Sequence, residues 1–380
     1  MFMLRTGVAL SQCPILNNTD EFIQHLHILN SLADQNMFNL EDFNLNSKDF
    51  TSLYPKIPQD DLVLRIMETV NVAFDWQTQS RRKDGCQGAC LLVKKFPECK
   101  NKNESACWVN RFTDKQATAA GYICISKDML VEFCTFIVRK AFFTYGKSVW
   151  HIRRGFPTGT NAAPEMANLY LLSYEMSFFE RQTRMWNTLT IERKMFILGY
   201  RRFIDDVFHL NGVEEPTSCL YKTEDQDGIF PTVLIDNGSI IDMPLKLSGD
   251  SSKEVNFLDV TVTIETATKS RLTYKLYDKR EFMTVAGQKV SSLPTYPNID
   301  SNLAESCKYG VVTSQLHRFA RRNMRASSVE ENIIKLCQKM ITHGYDKDSI
   351  VAQLQRFRDW PKTLGPWQKS LRRILNKLNL

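Results

Sequence analysis

The segment Phe203-Ile204-Asp205-Asp206-Val207 constrains the fold of this chain more than any other feature. Two adjacent carboxylates lie there inside a mostly apolar run that continues to Leu210. Adjacent carboxylates repel each other, and removing them from water is costly unless a cation neutralises them. The apolar, β-favouring residues on both sides predict a strand–turn–strand with the acids at its tip. Taken alone, the same pattern is also typical of an ordinary acidic surface turn.

A third acid, Asp49, begins the aromatic segment Asp-Phe-Thr-Ser-Leu-Tyr, which is followed by Ile57-Pro58. If Asp49 stands at the end of a buried strand that reaches the Asp205–Asp206 turn, the three carboxylates complete a metal site. Carboxylate and phosphate oxygens are the ligands that Mg²⁺ prefers. The alternative interpretation is that Asp49 caps the beginning of a helix.

Between these acids lies a turn rich in glycine and proline, Gly155-Phe156-Pro157-Thr158-Gly159-Thr160, which is preceded by Arg153 and Arg154. Its composition predicts a shaped turn in which the backbone can approach a ligand closely, with the two arginines placed to bind phosphates. Pro164 suits the first turn of a helix that runs to about Glu180. Its expected buried face consists of Met166, Leu169, Tyr170, Leu172, Tyr174 and Phe178. An ordinary strand–helix connection is the alternative.

The three segments, in this order, resemble the palm of reverse transcriptases, and most of all the Penelope-like retroelement family. Two further segments strengthen the resemblance: residues 256–262 are similar to the family's next strand pair, and residues 317–322 to its thumb. The resemblance implies an α+β fold, with a right-hand polymerase palm whose antiparallel sheet packs on helices, and a helical thumb. Residues 1–45 would hold a partial fingers region with one helix before the palm, 46–265 the palm and 266–380 the thumb. The fingers are expected to be largely missing.

The same resemblance implies an RNA-directed DNA polymerase that adds deoxynucleotides to a primer 3′ end. Asp49, Asp205 and Asp206, with the Phe50 carbonyl, would hold two Mg²⁺ ions, and Mn²⁺ is possible. Tyr54 would exclude the 2′ hydroxyl of ribonucleotides, unless it is plain core. The nucleotide-binding residues would be Tyr54, Phe156, Pro157, Thr158 and Gly159, and the partners an RNA template, a DNA primer and deoxynucleoside triphosphates.

Other functions stay open on sequence grounds. The short stretch before Asp49 leaves the expectation of a truncated, catalytically silent remnant that binds nucleic acid. An aromatic residue at Tyr54 argues against a viral RNA-dependent RNA polymerase, and three intact acids argue against a plain nucleic-acid-binding module.

Positive charge is concentrated at the C-terminal end. The chain carries a net charge of +7, but residues from His317 onward hold 14 Lys and Arg against 5 Asp and Glu. Such an excess suits a phosphate backbone, although a solvated helical face is the alternative. One helix is expected to begin at a capping box of Ser327 and Ser328 with Glu330 and Glu331, and to end at Gly344. Two more helices are expected at about 348–359 and 367–378. The candidate nucleic-acid contacts are Arg153, Arg154, Arg318, Arg321, Arg322 and Arg325.

Residues 76–120 interrupt the palm pattern with a polar, basic stretch that carries Cys86, Cys90, Cys99 and Cys107. Their spacing is not a standard zinc spacing, which favours a flexible insertion with free thiols over a structural Zn²⁺. The hydrophobic share of 43% over 380 residues is enough to build a core. The sequence contains no run of 18 apolar residues, so it predicts no membrane span. Ten cysteines without a secretion signal predict an intracellular protein of the nucleus or cytoplasm.

Overall fold

The computed structural model describes residues 14–80, 89–94, 106–110, 121–212, 219–222, 227–236, 239–242, 245–266, 269–278, 284–285, 288–289 and 296–378. The chain forms two compact units that exchange segments along the sequence. Unit 1 comprises Met1–Ile15, Asp49–Lys194 and Thr217–Ser248, and unit 2 comprises Leu16–Lys48, Met195–Pro216 and Gly249–Leu380. Helices and strands are mixed in the chain, in agreement with the predicted α+β class.

The helices and strands have the following bounds. The helices are α1 (Thr19–Asp34), α2 (Leu53–Lys56), α3 (Gln59–Ser80), α4 (Lys127–Arg139), α5 (Ala163–Arg184), α6 (Ile191–Gly199), α7 (Glu305–Arg322), α8 (Ala326–Thr342), α9 (Lys347–Arg356) and α10 (Trp367–Leu378). The strands are β1 (Phe43–Phe50), β2 (Ala89–Lys94), β3 (Ala106–Asn110), β4 (Tyr122–Ile125), β5 (Phe142–Tyr145), β6 (Ser148–His151), β7 (Arg201–Phe203), β8 (Asp206–Gly212), β9 (Tyr221–Lys222), β10 (Phe230–Pro231), β11 (Val233–Asp236), β12 (Ser239–Asp242), β13 (Leu247–Ser252), β14 (Glu254–Phe257), β15 (Val260–Glu265), β16 (Arg271–Leu276), β17 (Thr284–Val285) and β18 (Gln288–Lys289).

In unit 1, the long helix α3 packs against both α4 and α5. One polar cluster joins two of these helices, because the Tyr170 and Tyr174 hydroxyls of α5 both donate to Asp61 Oδ2 of α3, at 2.8 and 2.5 Å. The Arg65 guanidinium lies 4.4 Å from the centre of the Tyr174 ring. Burial and the adjacent Asp61 charge raise the pKa of Tyr174 above its usual value, so both hydroxyls stay protonated and able to donate.

The predicted helix after the glycine turn is confirmed, since α5 begins one residue before Pro164. Its buried face differs in part from the prediction. Leu169 and Leu172 are only half-buried, whereas Ala167 and Leu171 are buried. A helix with neighbours on more than one side buries a wider stripe than a single-period pattern suggests.

The cysteine-containing stretch is not a simple loop where it is described. β2 pairs antiparallel with β3 and with β4, which gives a three-stranded sheet of order β3-β2-β4. Cys90 and Cys107 are free thiols on β2 and β3, while Cys86 and Cys99 lie outside the described residues. The two described cysteines therefore lie on paired strands and not in a loop.

Unit 2 is built on a core between α1 and two sheets, which contains Phe22, Leu26, Phe208 and Phe257. The sheets have the orders β13-β1-β8-β7 and β14-β15-β16. Asn30, which is buried in α1, exchanges two hydrogen bonds of 2.8 Å with the backbone of Leu272 in β16. The side chain of Asn30 thus forms the two backbone hydrogen bonds that a neighbouring strand would form. These bonds fix the position of α1 along β16. The predicted helix before the palm segment corresponds to α1.

The C-terminal helices α7 to α10 share a second core in unit 2. The bounds of α10 agree with the prediction, and α8 is followed by Gly344 at φ +85°, as expected for a glycine that ends a helix. The predicted capping box is wrong, because α8 already begins at Ala326 and its N-cap residue, Arg325, makes no side-chain cap. Glu330 is instead bound by Arg373 of α10, whose Nε donates to Glu330 Oε2 at 2.9 Å.

None of the helices in the described part of the chain has the length and apolar character needed to span a membrane.

Candidate active site

The acidic hairpin of unit 2 has the predicted strand–turn–strand form. β7 and β8 pair antiparallel with Phe203 opposite Asp206, so the connecting turn consists of only Ile204 and Asp205. Asp206 is the first residue of β8, and the next two residues, Val207 and Phe208, are fully buried. Asp205 and Asp206 themselves are half-exposed. The buried strand thus places two carboxylates at the rim of the core, where a ligand can reach them.

The turn holds a strained backbone. Ile204 has φ +54°, in the left-handed region that β-branched residues rarely occupy. The fully buried Arg202 supports it, because its Nη1 donates to the Ile204 carbonyl at 2.8 Å. The Arg202 carbonyl in turn accepts from the Leu16 amide at 2.7 Å. Sequence analysis missed this supporting role, although Arg202 lies directly before the acidic segment.

Two buried histidines lie in unit 2 without adding charge. Burial lowers the pKa of His209, which belongs to β8, to about 3. The hydrogen bonds with Asn211 and the backbone partly oppose this shift, and the nearby Lys48 adds to it. Burial, together with Arg201, also lowers the pKa of His25 well below its usual value. Both rings are therefore neutral at physiological pH.

Asp49 is the penultimate residue of β1, as the prediction of an acid at a strand end requires, and its side chain is exposed. The helix-cap alternative is wrong, since the following helix α2 has Ser52 at its N-cap. The next residue, Phe50, is buried with its ring 5.1 Å from that of Phe230, both in unit 1. Strand and ring together define the backbone position of Asp49.

The glycine turn of unit 1 packs directly on the residues that follow Asp49. Gly155 has φ +73°, and a Cβ there would lie 2.7 Å from the Pro55 Cα, so both conformation and space require glycine. The Phe156 amide donates to the Tyr54 carbonyl at 2.9 Å. Two segments that are a hundred residues apart are thereby joined, and Tyr54 stands beside the predicted nucleotide-binding turn.

Within this turn, the predicted residues differ in exposure. Phe156 is buried, Pro157 is half-buried, and Thr158 and Gly159 are exposed. Gln59, which sequence analysis did not single out, donates from Nε2 to the carbonyls of both Ile152 and Gly155 at 3.0 Å. Arg153 and Arg154 immediately before the turn are exposed.

The four C-terminal arginines predicted to contact nucleic acid all have carboxylate partners. Arg318 and Arg322 bind Asp259, Arg321 and Arg322 bind Asp20, and Arg325 binds Glu265. Asp259 lies in the turn between β14 and β15, which repeats the geometry of the acidic hairpin with Leu258 at φ +54°. Two arginines neutralise this second acid, as expected for a structural residue.

Among the described residues, no group of three or more His, Cys, Asp and Glu side chains stands close enough to hold a metal ion. The joint binding of a cation by Asp49, Asp205 and Asp206 therefore stays a prediction. The donor set is chemically suited to it, because carboxylate and backbone carbonyl oxygens are what Mg²⁺ prefers.

No protein-family model matches the sequence, and neither does any curated protein. Among solved structures, the chain is similar to telomerase from Candida albicans in complex with the TWJ fragment of telomeric RNA, at 11% identity and a TM-score of 0.49. It is also similar to apo telomerase from Candida tropicalis (10%, TM-score 0.39) and to that telomerase in complex with a TWJ fragment of telomeric RNA (12%, TM-score 0.40).

These alignments cover 96%, 96% and 98% of this chain, but only 53%, 53% and 48% of the telomerase chains. The chain therefore spans about half the length of these structures. TM-scores below 0.5 do not establish a shared fold.

Proposed function

We propose that this chain is the palm and thumb of an RNA-directed DNA polymerase of the Penelope-like type. The observation that supports the proposal most is the acidic hairpin. Asp205 lies in a two-residue turn, Asp206 opens the buried strand β8, and β8 is the neighbour of β1 in one sheet. Asp49 is carried by β1. Neighbouring strands with acids at their ends suit a shared cation site, which an isolated surface turn would not need.

In this proposal Asp49, Asp205 and Asp206, with the Phe50 carbonyl, hold two Mg²⁺ ions. Such ions, when bound, activate a primer 3′ hydroxyl and stabilise the leaving pyrophosphate. Arg202 is a positioning residue, since it fixes the carbonyl of the strained Ile204 next to Asp205.

The glycine turn and Tyr54 form the nucleotide side of the proposed site. The backbone hydrogen bond from the Phe156 amide to the Tyr54 carbonyl places Tyr54 beside the turn. A ring in this position blocks a 2′ hydroxyl and favours deoxynucleotides. The exposed Thr158 and Gly159 offer backbone and hydroxyl groups to the incoming nucleotide.

The shared cation is tested directly by iron-mediated cleavage. Fe²⁺ replaces Mg²⁺ at oxygen sites, and with ascorbate it produces hydroxyl radicals that cut the chain close to the bound ion. We expect cuts both near residue 49 and near residue 205, and Asp205→Asn should abolish both. Asp259→Asn, in the second hairpin of the same geometry, is the matched control and should leave the cuts unchanged. Cuts at only one of the two places would refute a shared site.

Primer extension on an RNA template then tests the reaction. Wild-type protein should extend the primer with deoxynucleotides in Mg²⁺, and Asp205→Asn should not, while both bind the template equally. Iron cleavage at both places without any extension would favour the alternative, a catalytically silent protein that binds nucleic acid.

A further inference from the structure

The hairpin of β5 and β6 in unit 1 exposes every one of its residues. It belongs to a segment, residues 139–154, that contains five Lys and Arg, four aromatic side chains and no Asp or Glu. An isolated two-stranded hairpin is at best marginally stable in water. Because its aromatic side chains are exposed and do not pack in the core, they are available to bind a ligand.

The pairing of the strands places three rings on one face. Phe143 lies opposite Trp150, and Tyr145 follows Phe143 by two residues, which returns it to the same side of the ribbon. Phe143, Tyr145 and Trp150 are 49%, 77% and 54% exposed. The opposite face carries Phe142 stacked on His151 at 4.8 Å, and Val149. Three adjacent exposed rings on a ribbon form a surface on which flat groups can stack.

The charges around these rings indicate which kind of ligand the surface can bind. Lys147 lies in the tight turn, where Gly146 has φ +60°, and Lys140, Arg153 and Arg154 flank the strands. Arg139, at the start of the same segment, is paired with Asp60. Aromatic faces flanked by cations, in a segment with no acidic residue of its own, match a single-stranded polynucleotide, whose bases stack on rings while its phosphates contact the cations.

Hydrogen bonds join the hairpin to the glycine turn, which is the proposed nucleotide-binding turn. At its base, the Ile152 amide donates to the Ala141 carbonyl at 2.9 Å. Gln59 then binds the carbonyls of Ile152 and Gly155, and Gly155 directly precedes the Phe156 that bonds to Tyr54. The base of the hairpin and the glycine turn are therefore joined by hydrogen bonds.

We propose that the β5–β6 hairpin is a stacking platform for single-stranded nucleic acid, with Phe143, Tyr145 and Trp150 as the base-contacting residues. That the bound strand is the template rests on the proposed function. The binding itself does not, since stacking needs neither metal nor catalysis.

The test compares two pairs of substitutions on opposite faces of the hairpin. Fluorescence polarisation with a labelled 12-nucleotide oligouridylate measures binding by the full chain. Phe143→Ala with Trp150→Ala should weaken binding about tenfold or more, because each lost base stack is itself worth about five- to a hundred-fold in affinity. Phe142→Ala with Val149→Ala is the matched control and should bind like wild type. Trp150→Tyr with Phe143→Tyr, which keeps both rings, should restore most of the affinity.

Charge is tested separately by Lys147→Ala. For a single strand, the loss of one phosphate contact should reduce the log–log salt slope of binding by about 0.7. An RNA duplex of the same length should bind equally well to wild type and to the Phe143/Trp150 variant, because its bases are already stacked on one another.

Several outcomes would overturn the proposal. One is equal affinity of wild type and the Phe143/Trp150 variant, and another is an equal loss in both pairs, which would show that the hairpin merely unfolds. A third is a change of oligomeric state in the ring variant with unchanged affinity for the oligonucleotide, which would identify an interface between protein copies. Oligonucleotide binding is measured without Mg²⁺ and without nucleotide, so failure of the polymerase proposal and failure of the platform can be told apart.

Discussion

Two adjacent arginines of α7, Arg321 and Arg322, should respond very differently to the same substitution. Arg322 has a side chain only 13% exposed, and its Nε lies 3.1 Å from both carboxylate oxygens of Asp259, while its Nη1 binds Asp20. Arg321 is 60% exposed and its closest carboxylate oxygen, on Asp20, is 3.8 Å away. The local sequence is the same, but only one of the two guanidinium groups is part of the folded interior.

The magnitude follows from these contacts. Hydrogen bonds to charged groups contribute about 1.5–3 kcal/mol each, and breaking a buried ion pair costs about 3–5 kcal/mol. Asp259 keeps a second partner, since Arg318 lies 3.4 Å away, and Asp20 is half-exposed. We therefore expect Arg322→Gln to lower the free energy of unfolding by about 2–4 kcal/mol, below the full cost of an orphaned charge. Arg321→Gln should cost at most about 1 kcal/mol, as for other exposed pairs.

Urea unfolding followed by circular dichroism measures both free energies. Duplex binding at several salt concentrations measures phosphate contacts, and Arg321→Gln should reduce the log–log slope by about 0.9 if its side chain meets a phosphate. A double-mutant cycle of Asp259→Asn with Arg322→Gln should give a coupling free energy above about 0.5 kcal/mol, as for residues in direct contact. Equal stability losses at 321 and 322, or a coupling energy near zero, would refute the assignment of Arg322 to the interior.

Three further predictions concern the core, the nucleotide site and the hairpin turn. Because burial lowers the pKa of His209 to about 3 from 6.5, only the unfolded chain takes up its proton below pH 6.5. The free energy of unfolding should then fall by about 1.4 kcal/mol per pH unit between pH 6 and 5 for this residue, and His209→Asn should remove that part of the slope; an unchanged slope would mean that the folded protein protonates the ring. Tyr54→Val should raise ribonucleotide incorporation relative to deoxynucleotides in single-nucleotide primer extension, and unaltered discrimination would remove Tyr54 from the nucleotide site. At Ile204, with φ +54°, glycine should be more stable than alanine by about 1 kcal/mol in urea unfolding, since the left-handed region costs an L-residue about 1–2 kcal/mol; the ordinary order, alanine above glycine, would show that the turn is relaxed.

Local patterns predicted the features that depend on local physics. The acidic hairpin, the strand that ends near Asp49 and helix α10 follow from apolar periodicity and from turn residues, which neighbouring residues alone can express. The predicted capping box failed for a tertiary reason. Glu330 has its carboxylate bound by Arg373, 43 positions further along the chain, and is not available to cap the helix backbone.

The supporting contacts of the site lay beyond sequence reasoning for the same reason. Nothing in the sequence indicates that Gln59 binds the carbonyls of Ile152 and Gly155, or that Arg202 turns inward to the carbonyl of Ile204. Charged and polar side chains are expected at the surface by default, and only the folded chain shows which are buried with partners. The short strands β2 and β3 were missed because each is only five or six residues long and lies among polar, basic residues.

Each unit is built from three segments that are far apart in the sequence, and this has a consequence for biosynthesis. Asn30 of α1 can bind Leu272 only after 242 further residues have left the ribosome. Until then the apolar face of α1 lacks one of the two sheets that cover it, β14-β15-β16, and the core of unit 2 is incomplete. Such non-local pairing slows folding and prolongs the exposure of apolar surface. During synthesis the chain should therefore depend on chaperones, and C-terminal truncations before residue 272 should lose α1 together with the sheet that it covers.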